Sequence, residues 1–204
     1  MFRKKRDILF DFWGTLGYSN VRDSIWQSIS NEIKNFDINK KDFFEFWKEN
    51  WFKSNIVKEE FIHRLCNNFN LNDRFNSLVE KLIDPENVRL YKNRFEKLSE
   101  LNNRGYNLHL VSDCGRDTKS FVNQSKLDDI FLKKFYSFMN GETKEEGLYS
   151  IVKKELGNNN LIIGDDRYRD LKIPKRYGFH SIHIDEEECL DDILTDFTLM
   201  MFNI

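Results

Sequence analysis

The chain has 204 residues, of which 40% are hydrophobic and 15% aromatic, ample to fill a core and too apolar for a disordered chain. Its 32 basic and 34 acidic side chains leave a net charge of −2, so nothing in the composition offers a polyanion such as nucleic acid a footprint. No uncharged apolar run approaches the roughly 20 residues of a spanning helix, which argues against a membrane partner. In chain order, Arg3-Lys4-Lys5-Arg6 reads as a solvated lead-in to a strand over Asp7–Phe12. A secretion signal is not expected, because Asp7 and Asp11 interrupt the apolar stretch and no small-residue cleavage site follows.

The segment from Tyr18 to Arg104 contains no glycine, and its only proline is Pro85. Within it Ile25, Ile29 and Ile33 recur every four residues, with Trp26 widening the stripe. Phe43, Trp47 and Trp51 follow, preceded by Asn39 as an N-cap; then come Phe61, Leu65 and Phe69, and finally Phe75, Leu78, Val79 and Leu82. These stripes predict four amphipathic helices that bury their faces on one another as a small bundle. Asp84-Pro85 punctuates its end.

The remainder alternates. Phe95, Leu98 and Leu101 mark a helix closed by Gly105, and Tyr106–Val111 a strand. A helix is expected around Phe121-Val122, a strand over Phe135–Phe138, and a helix on Leu148, Ile151, Val152 and Leu156, stopped by Gly157. Leu161–Ile163 and Phe179–Ile184 are the last strands. Strands separated by helices predict an α/β fold, a three-layer Rossmann-like parallel sheet core over residues 1–17 and 88–204. The inserted helical bundle, residues 18–87, would cap it. A terminal helix striped by Ile193, Phe197 and Met201 is expected to pack on the core or to serve a dimer contact, leaving monomer or homodimer open.

Cys66, Cys114 and Cys189 are widely spaced and form no CxxC, which speaks against a disulfide framework or structural zinc and fits a cytoplasmic location. His180 and His183 lie three apart on a predicted strand, so they face opposite ways and cannot share a metal. These two, His63 and His109 are expected to be structural or solvated. The same holds for Arg22, Arg116, Arg167 and Arg169, although they fall near the predicted site.

In parallel sheets, ligands bind beyond the carboxyl ends of the strands. Asp11 through Leu16 follows the first strand, Ser112-Asp113 the second, and Asp165, Asp166 and Asp170 the Leu161–Ile163 strand, while Lys144 is expected to open a helix. Carboxylates gathered in one mouth repel each other unless a hard cation sits among them, and magnesium is the usual occupant. Thr15, Ser112 and Lys144 add hydroxyls and a positive charge suited to a phosphoryl group. An aspartate there can act as the nucleophile and form an aspartyl-phosphate.

Taken together, Ile8–Leu16, Leu110-Val111-Ser112-Asp113, Lys144 and Ile163-Gly164-Asp165-Asp166…Asp170 resemble the four motifs of the haloacid dehalogenase-like (HAD) hydrolase superfamily. The helical insertion is similar to the cap of its helical-cap branch. The resemblance implies Asp11 as nucleophile, with Thr15, Ser112 and Lys144 in the catalytic set. Ser112, Asp113 and Lys144 would contact a small phosphorylated metabolite. Asp11, the main-chain carbonyl of Trp13, Asp165 and Asp166 would hold Mg2+, and Asp170 would support them.

One position departs from the family's phosphatases. The residue two after the nucleophile is normally an aspartate that protonates the leaving oxygen, and here it is Trp13, whose indole cannot serve as acid or base. Three readings follow: a magnesium-dependent phosphatase or phosphotransferase with altered acid–base chemistry, a catalytically impaired binding or regulatory protein, and a metal-independent 2-haloacid dehalogenase. The acidic fourth motif favours the first, since unscreened carboxylates facing Asp11 would repel an anionic haloacid.

Overall fold

The chain leaves the sheet immediately after its first strand, and that exit organises the molecule. The computed structural model describes residues 7–158, 160–185, 190 and 194. The basic lead-in and most of the expected terminal helix lie outside the described residues. Strand β1 (Asp7–Phe10) is central. On one side it pairs in parallel with β4 (Asn107–Ser112), which pairs with β5 (Phe131–Tyr136). On the other side it pairs with β6 (Leu161–Gly164), which pairs with β7 (His180–His183). The order is β5-β4-β1-β6-β7, so connections diverge to either side of β1 and open a crevice at its carboxyl end.

Alternation along the strands feeds two separate cores. Ile8, Phe10, Leu108, Leu110, Leu161 and Ile163 face one layer, where they meet Leu98 and Leu101 of α5 (Arg94–Asn103) and Val122 of α6 (Arg116–Gln124). Leu9, Val111 and Ile162 face the other, against Leu148 and Val152 of α9 (Leu148–Leu156). Both faces are covered, which is why these strands read as unbroken apolar runs. The architecture is therefore a three-layer α/β Rossmann-like fold.

Four helices, α1 (Arg22–Asn35), α2 (Lys40–Trp47), α3 (Lys58–Phe69) and α4 (Asp73–Leu82), share a core of their own. Ile29, Phe43, Phe61, Leu65, Phe75 and Val79 are fully buried in it. Asn39 caps α2 by accepting the Lys41 amide at 2.8 Å, and Asn72 caps α4 through the Phe75 amide at 3.2 Å. Trp51 falls on a π-helical turn, Lys48–Phe52, that continues α2. The antiparallel ribbon of β2 (Gly17–Ser19) and β3 (Val88–Leu90) brings both ends of this bundle together.

Two elements differ from the sequence expectation. The strand expected over Phe135–Phe138 runs instead over Phe131–Tyr136, with Phe138 in the short helix α8 (Ser137–Asn140). Lys144 does not open a helix: it stands in a turn, its backbone N–H donating to Asp113 Oδ1 at 2.8 Å, and α9 starts at Leu148. The short helices α7 (Leu127–Ile130) and α10 (Ile173–Arg176) complete the layers. Among the described residues no helix is long and apolar enough to cross a membrane.

Candidate active site

Asp11 follows β1 directly, and its amide still bonds to Ile163 O at 2.9 Å. The next residues curl, with the amides of Leu16 and Gly17 both donating to Phe12 O at 2.8 and 2.9 Å. Gly14 holds this curl at a φ of +78°, and a side chain there would run into the Asp165 carboxylate. The close passage brings Thr15 Oγ1 within 3.3 Å of Asp165 Oδ1. Thr15 and Asp165, 150 positions apart in the chain, are thus held in one small volume by the left-handed turn at Gly14.

Lys144 reaches into the middle of that volume. Its Nζ donates to Asp11 Oδ1 and to Asp170 Oδ1, each at 2.6 Å, and all three side chains are buried. The carboxylates of Asp11, Asp165 and Asp170 offer oxygens that all lie within 4.8 Å of one another. Burial raises the pKa of Asp11; Lys144 pulls it back, and Asp170 and Asp165 push it further up. Burial opposes the charge on Lys144, but Asp11, Asp170 and Asp113 outweigh it and its pKa is raised. Asp165 is raised by burial and by Asp170. The set is short of positive charge.

Asp166, expected among the metal ligands, faces elsewhere. Its carboxylate caps the turn that follows, accepting the amides of Tyr168 and Arg169 at 2.8 Å and pairing with the Arg169 guanidinium. Although partial burial works against it, those Arg169 contacts hold its carboxyl below the usual range. Asp170, expected in support, stands inside the cluster instead. Ser112 ends β4 with its Oγ buried and without a hydrogen-bond partner, a donor free for a ligand. Asp113 accepts the Lys144 amide and lies 3.9 Å from Arg169. Arg22 sits over the Trp13 ring at 5.9 Å, Arg116 reaches Asn55 of the bundle, and Arg167 is exposed.

Two contributors escaped the sequence reading. Tyr149 is fully buried and donates its hydroxyl to Asp170 Oδ1 at 3.1 Å. His183 Nε2 sits 2.8 Å from the main-chain oxygen of Asp165, because β7 pairs His183 beside Gly164. The available signals were a polar ring one position into an apolar helix and a histidine ending the last strand.

A cavity of about 520 Å3 opens above the cluster. Asp11, Lys144 and Asp165 line its core side, and the rings of Trp26, Trp47 and Trp51 line the bundle side. Trp51 packs so tightly on Gly115 that any side chain there would overlap its indole. Lys48 of the π-helical turn and Lys53 just after it bridge across to Glu146 at 3.4 and 3.2 Å. The bundle is thereby seated over the carboxylates.

The profile of the haloacid dehalogenase-like hydrolase family matches residues 8–184. The chain belongs to that family. Among solved HAD structures, a HAD family enzyme from Bacteroides thetaiotaomicron, in complex with magnesium and inorganic phosphate, is similar at TM-score 0.71 and 15% identity, covering 94% of this chain and 100% of that one. A HAD phosphatase from Thermococcus onnurineus is similar at TM-score 0.59 and 18% identity, covering 90% and 88%. The glutamate–tRNA ligases of two Ureaplasma parvum strains are 27% identical over 195 residues, 88% of this HAD-like chain. The match spans only 38% of those curated relatives.

Proposed function

We propose that this HAD-like hydrolase is a magnesium-dependent phosphatase or phosphotransferase for a small phosphorylated metabolite, with Asp11 as nucleophile. The observation that carries the reading is the buried convergence of Asp11, Asp165 and Asp170 on the single ammonium of Lys144. Fully ionised, that group carries two excess negative charges, and an all-oxygen donor set of this kind suits a hard divalent cation. Asp11, Asp165 and the Trp13 carbonyl would hold the ion, while Asp170, tied up by Lys144 and Tyr149, would steady Lys144. Bound there, magnesium would withdraw charge from the phosphoryl oxygens.

The chain's own groups supply the rest. Lys144 keeps Asp11 oriented and offsets the charge of an incoming phosphate. Ser112 offers its unpaired hydroxyl to a phosphoryl oxygen, with Thr15 beside it, and Asp113 fixes the Lys144 turn. Asp11 attacks phosphorus to give an aspartyl-phosphate that water later opens. Residues 18–87 act as a cap over the core of 1–17 and 88–204, excluding water and setting substrate choice. The aromatic lining on the cap side favours a phosphate ester with a flat, apolar body. The free thiols of Cys66 and Cys114 fit a reducing, cytoplasmic setting.

Release of phosphate from p-nitrophenyl phosphate or acetyl phosphate, with and without magnesium, tests this reading. Metal-dependent turnover abolished by Asp11→Asn supports it. Trp13 favours a second reading, a binding protein without turnover, since no titratable group stands two residues after the nucleophile. Silence across a broad phosphate-ester panel, with phosphate still bound in the presence of magnesium, would select that alternative.

A further inference from the structure

The leaving oxygen needs a proton that Trp13 cannot give, and the cavity holds another carboxyl, one oxygen of which has no hydrogen-bond partner. Of the acidic residues lining it, Asp11, Asp165 and Asp170 form the cluster, Asp113 accepts the Lys144 amide, and Glu145 is exposed to solvent. Asp117 is left. It sits in the first turn of α6, 8% exposed, and its Oδ1 has no hydrogen-bond partner. Its neighbour Thr118 accepts the Trp13 indole N–H at 3.0 Å, which ties the first turn of α6 to the loop carrying the nucleophile. Trp51 of the bundle packs over Gly115 and faces Asp117 from the other side, placing this carboxyl at the seam between core and bundle. Asp11 and Asp117 line the same cavity.

We infer that Asp117 is a catalytic acid and base of the Asp11 reaction, standing in for the aspartate that Trp13 replaces. The inference rests on the proposed role of Asp11. As an Asp11 oxygen bonds to phosphorus and the ester P–O bond breaks, the Asp117 carboxyl gives its proton to the departing oxygen, which leaves as an alcohol. Asp117, now a carboxylate, takes one proton from the water that attacks the aspartyl-phosphate. The second water proton stays with the released phosphate, Asp11 is freed, and Asp117 is again an acid. Burial pushes the Asp117 carboxyl up to about 7, moderated by the amides of Thr118, Asp117 and Gly115 and by the Trp51 indole, so both forms are accessible near neutrality.

The test is the dependence of kcat/KM, which reports formation of the aspartyl-phosphate and not its hydrolysis, on leaving-group basicity, measured with p-nitrophenyl phosphate, phenyl phosphate and an alkyl phosphate. Asp117→Asn is expected to slow the alkyl ester by roughly 10²–10⁴-fold and p-nitrophenyl phosphate far less, since nitrophenolate leaves without a proton. Asp117→Glu, which keeps the carboxyl, should restore part of the alkyl rate. Equal losses on all esters, no loss on any, or the same change in slope from Glu145→Gln would overturn the proposal while leaving the role of Asp11 intact. In the wild-type chain, a kcat/KM falling steeply with leaving-group basicity likewise overturns acid catalysis by Asp117. Absence of Asp11-dependent turnover on every ester would remove both readings together.

Discussion

Trp13 Nε1 donates to Thr118 Oγ1 at 3.0 Å, so the residue that stands where an aspartate is expected also fastens the loop carrying Asp11 to α6. Position 13 is therefore hydrogen-bonded to the residue next to Asp117 in α6, and under the proposal above a carboxyl at either position would serve the same leaving group. Trp13→Asp introduced into the Asp117→Asn background is expected to recover at least tenfold of the alkyl phosphate rate, out of a general-acid contribution of roughly 10²–10⁴. Steady-state rates of the single and double variants check this; no recovery in a folded double variant would contradict it.

Lys144 is the sole ammonium among the described residues that contacts Asp11 and Asp170. Its replacement by methionine leaves buried carboxylates uncompensated, a loss of about 3–5 kcal/mol for a broken buried pair. Magnesium should repair part of that deficit. The Tm of Lys144→Met is expected to rise more on adding magnesium than that of the wild type, read by thermal denaturation with and without the ion.

The turn at Gly14 couples the loop carrying Asp11 to Asp165. Gly14→Ala forces an L side chain into left-handed backbone, at about 1–2 kcal/mol, and pushes it into the Asp165 carboxylate. Calorimetry is expected to show magnesium affinity reduced by more than tenfold while the far-ultraviolet circular dichroism is unchanged. Unaltered affinity would mean that Asp165 is not a ligand.

His109 lies buried in β4 with Nε2 2.9 Å from Asp7 Oδ1. Burial lowers its pKa below the ordinary 6.5, and Asp7 only partly offsets this. Below pH 6.5 the unfolded chain therefore binds a proton that the folded chain resists, so this residue's contribution to stability falls as the pH drops. The loss continues down to the lowered folded pKa. Urea unfolding between pH 7.5 and 5.0 is expected to show a shallower decline for His109→Gln than for the wild type.

Much of the core was legible because both faces of its sheet are covered. Ile8-Leu9-Phe10 and Leu161-Ile162-Ile163 are apolar without interruption; Asp11 follows the first directly and Asp165 follows the second after Gly164. The bundle was legible from its four-residue spacing. β5 was misplaced because it is an edge strand: Leu132 is exposed and Lys133 and Lys134 pair with Glu155 and Asp128, which breaks the apolar run between buried Phe131 and buried Phe135-Tyr136. The three-residue strands β2 and β3 are too short to leave a periodic signal. Within the site, chain order identified Asp11, Ser112 and Asp165 as strand-end residues and singled out Lys144 between the third and fourth strands. It could not choose between Asp166 and Asp170, because that choice depends on how tightly the turn after β6 winds. Tyr149, His183 and Asp117 gain their meaning only from neighbours far along the chain.

The most direct measurement is rapid acid quench of the chain mixed with acetyl phosphate and magnesium, followed by mass analysis of its peptides. One phosphoryl group on the peptide containing Asp11, dependent on magnesium and absent from Asp11→Asn, is the expected result. Phosphate release with that peptide unmodified throughout, or a phosphoryl group that persists in Asp11→Asn, would contradict the account.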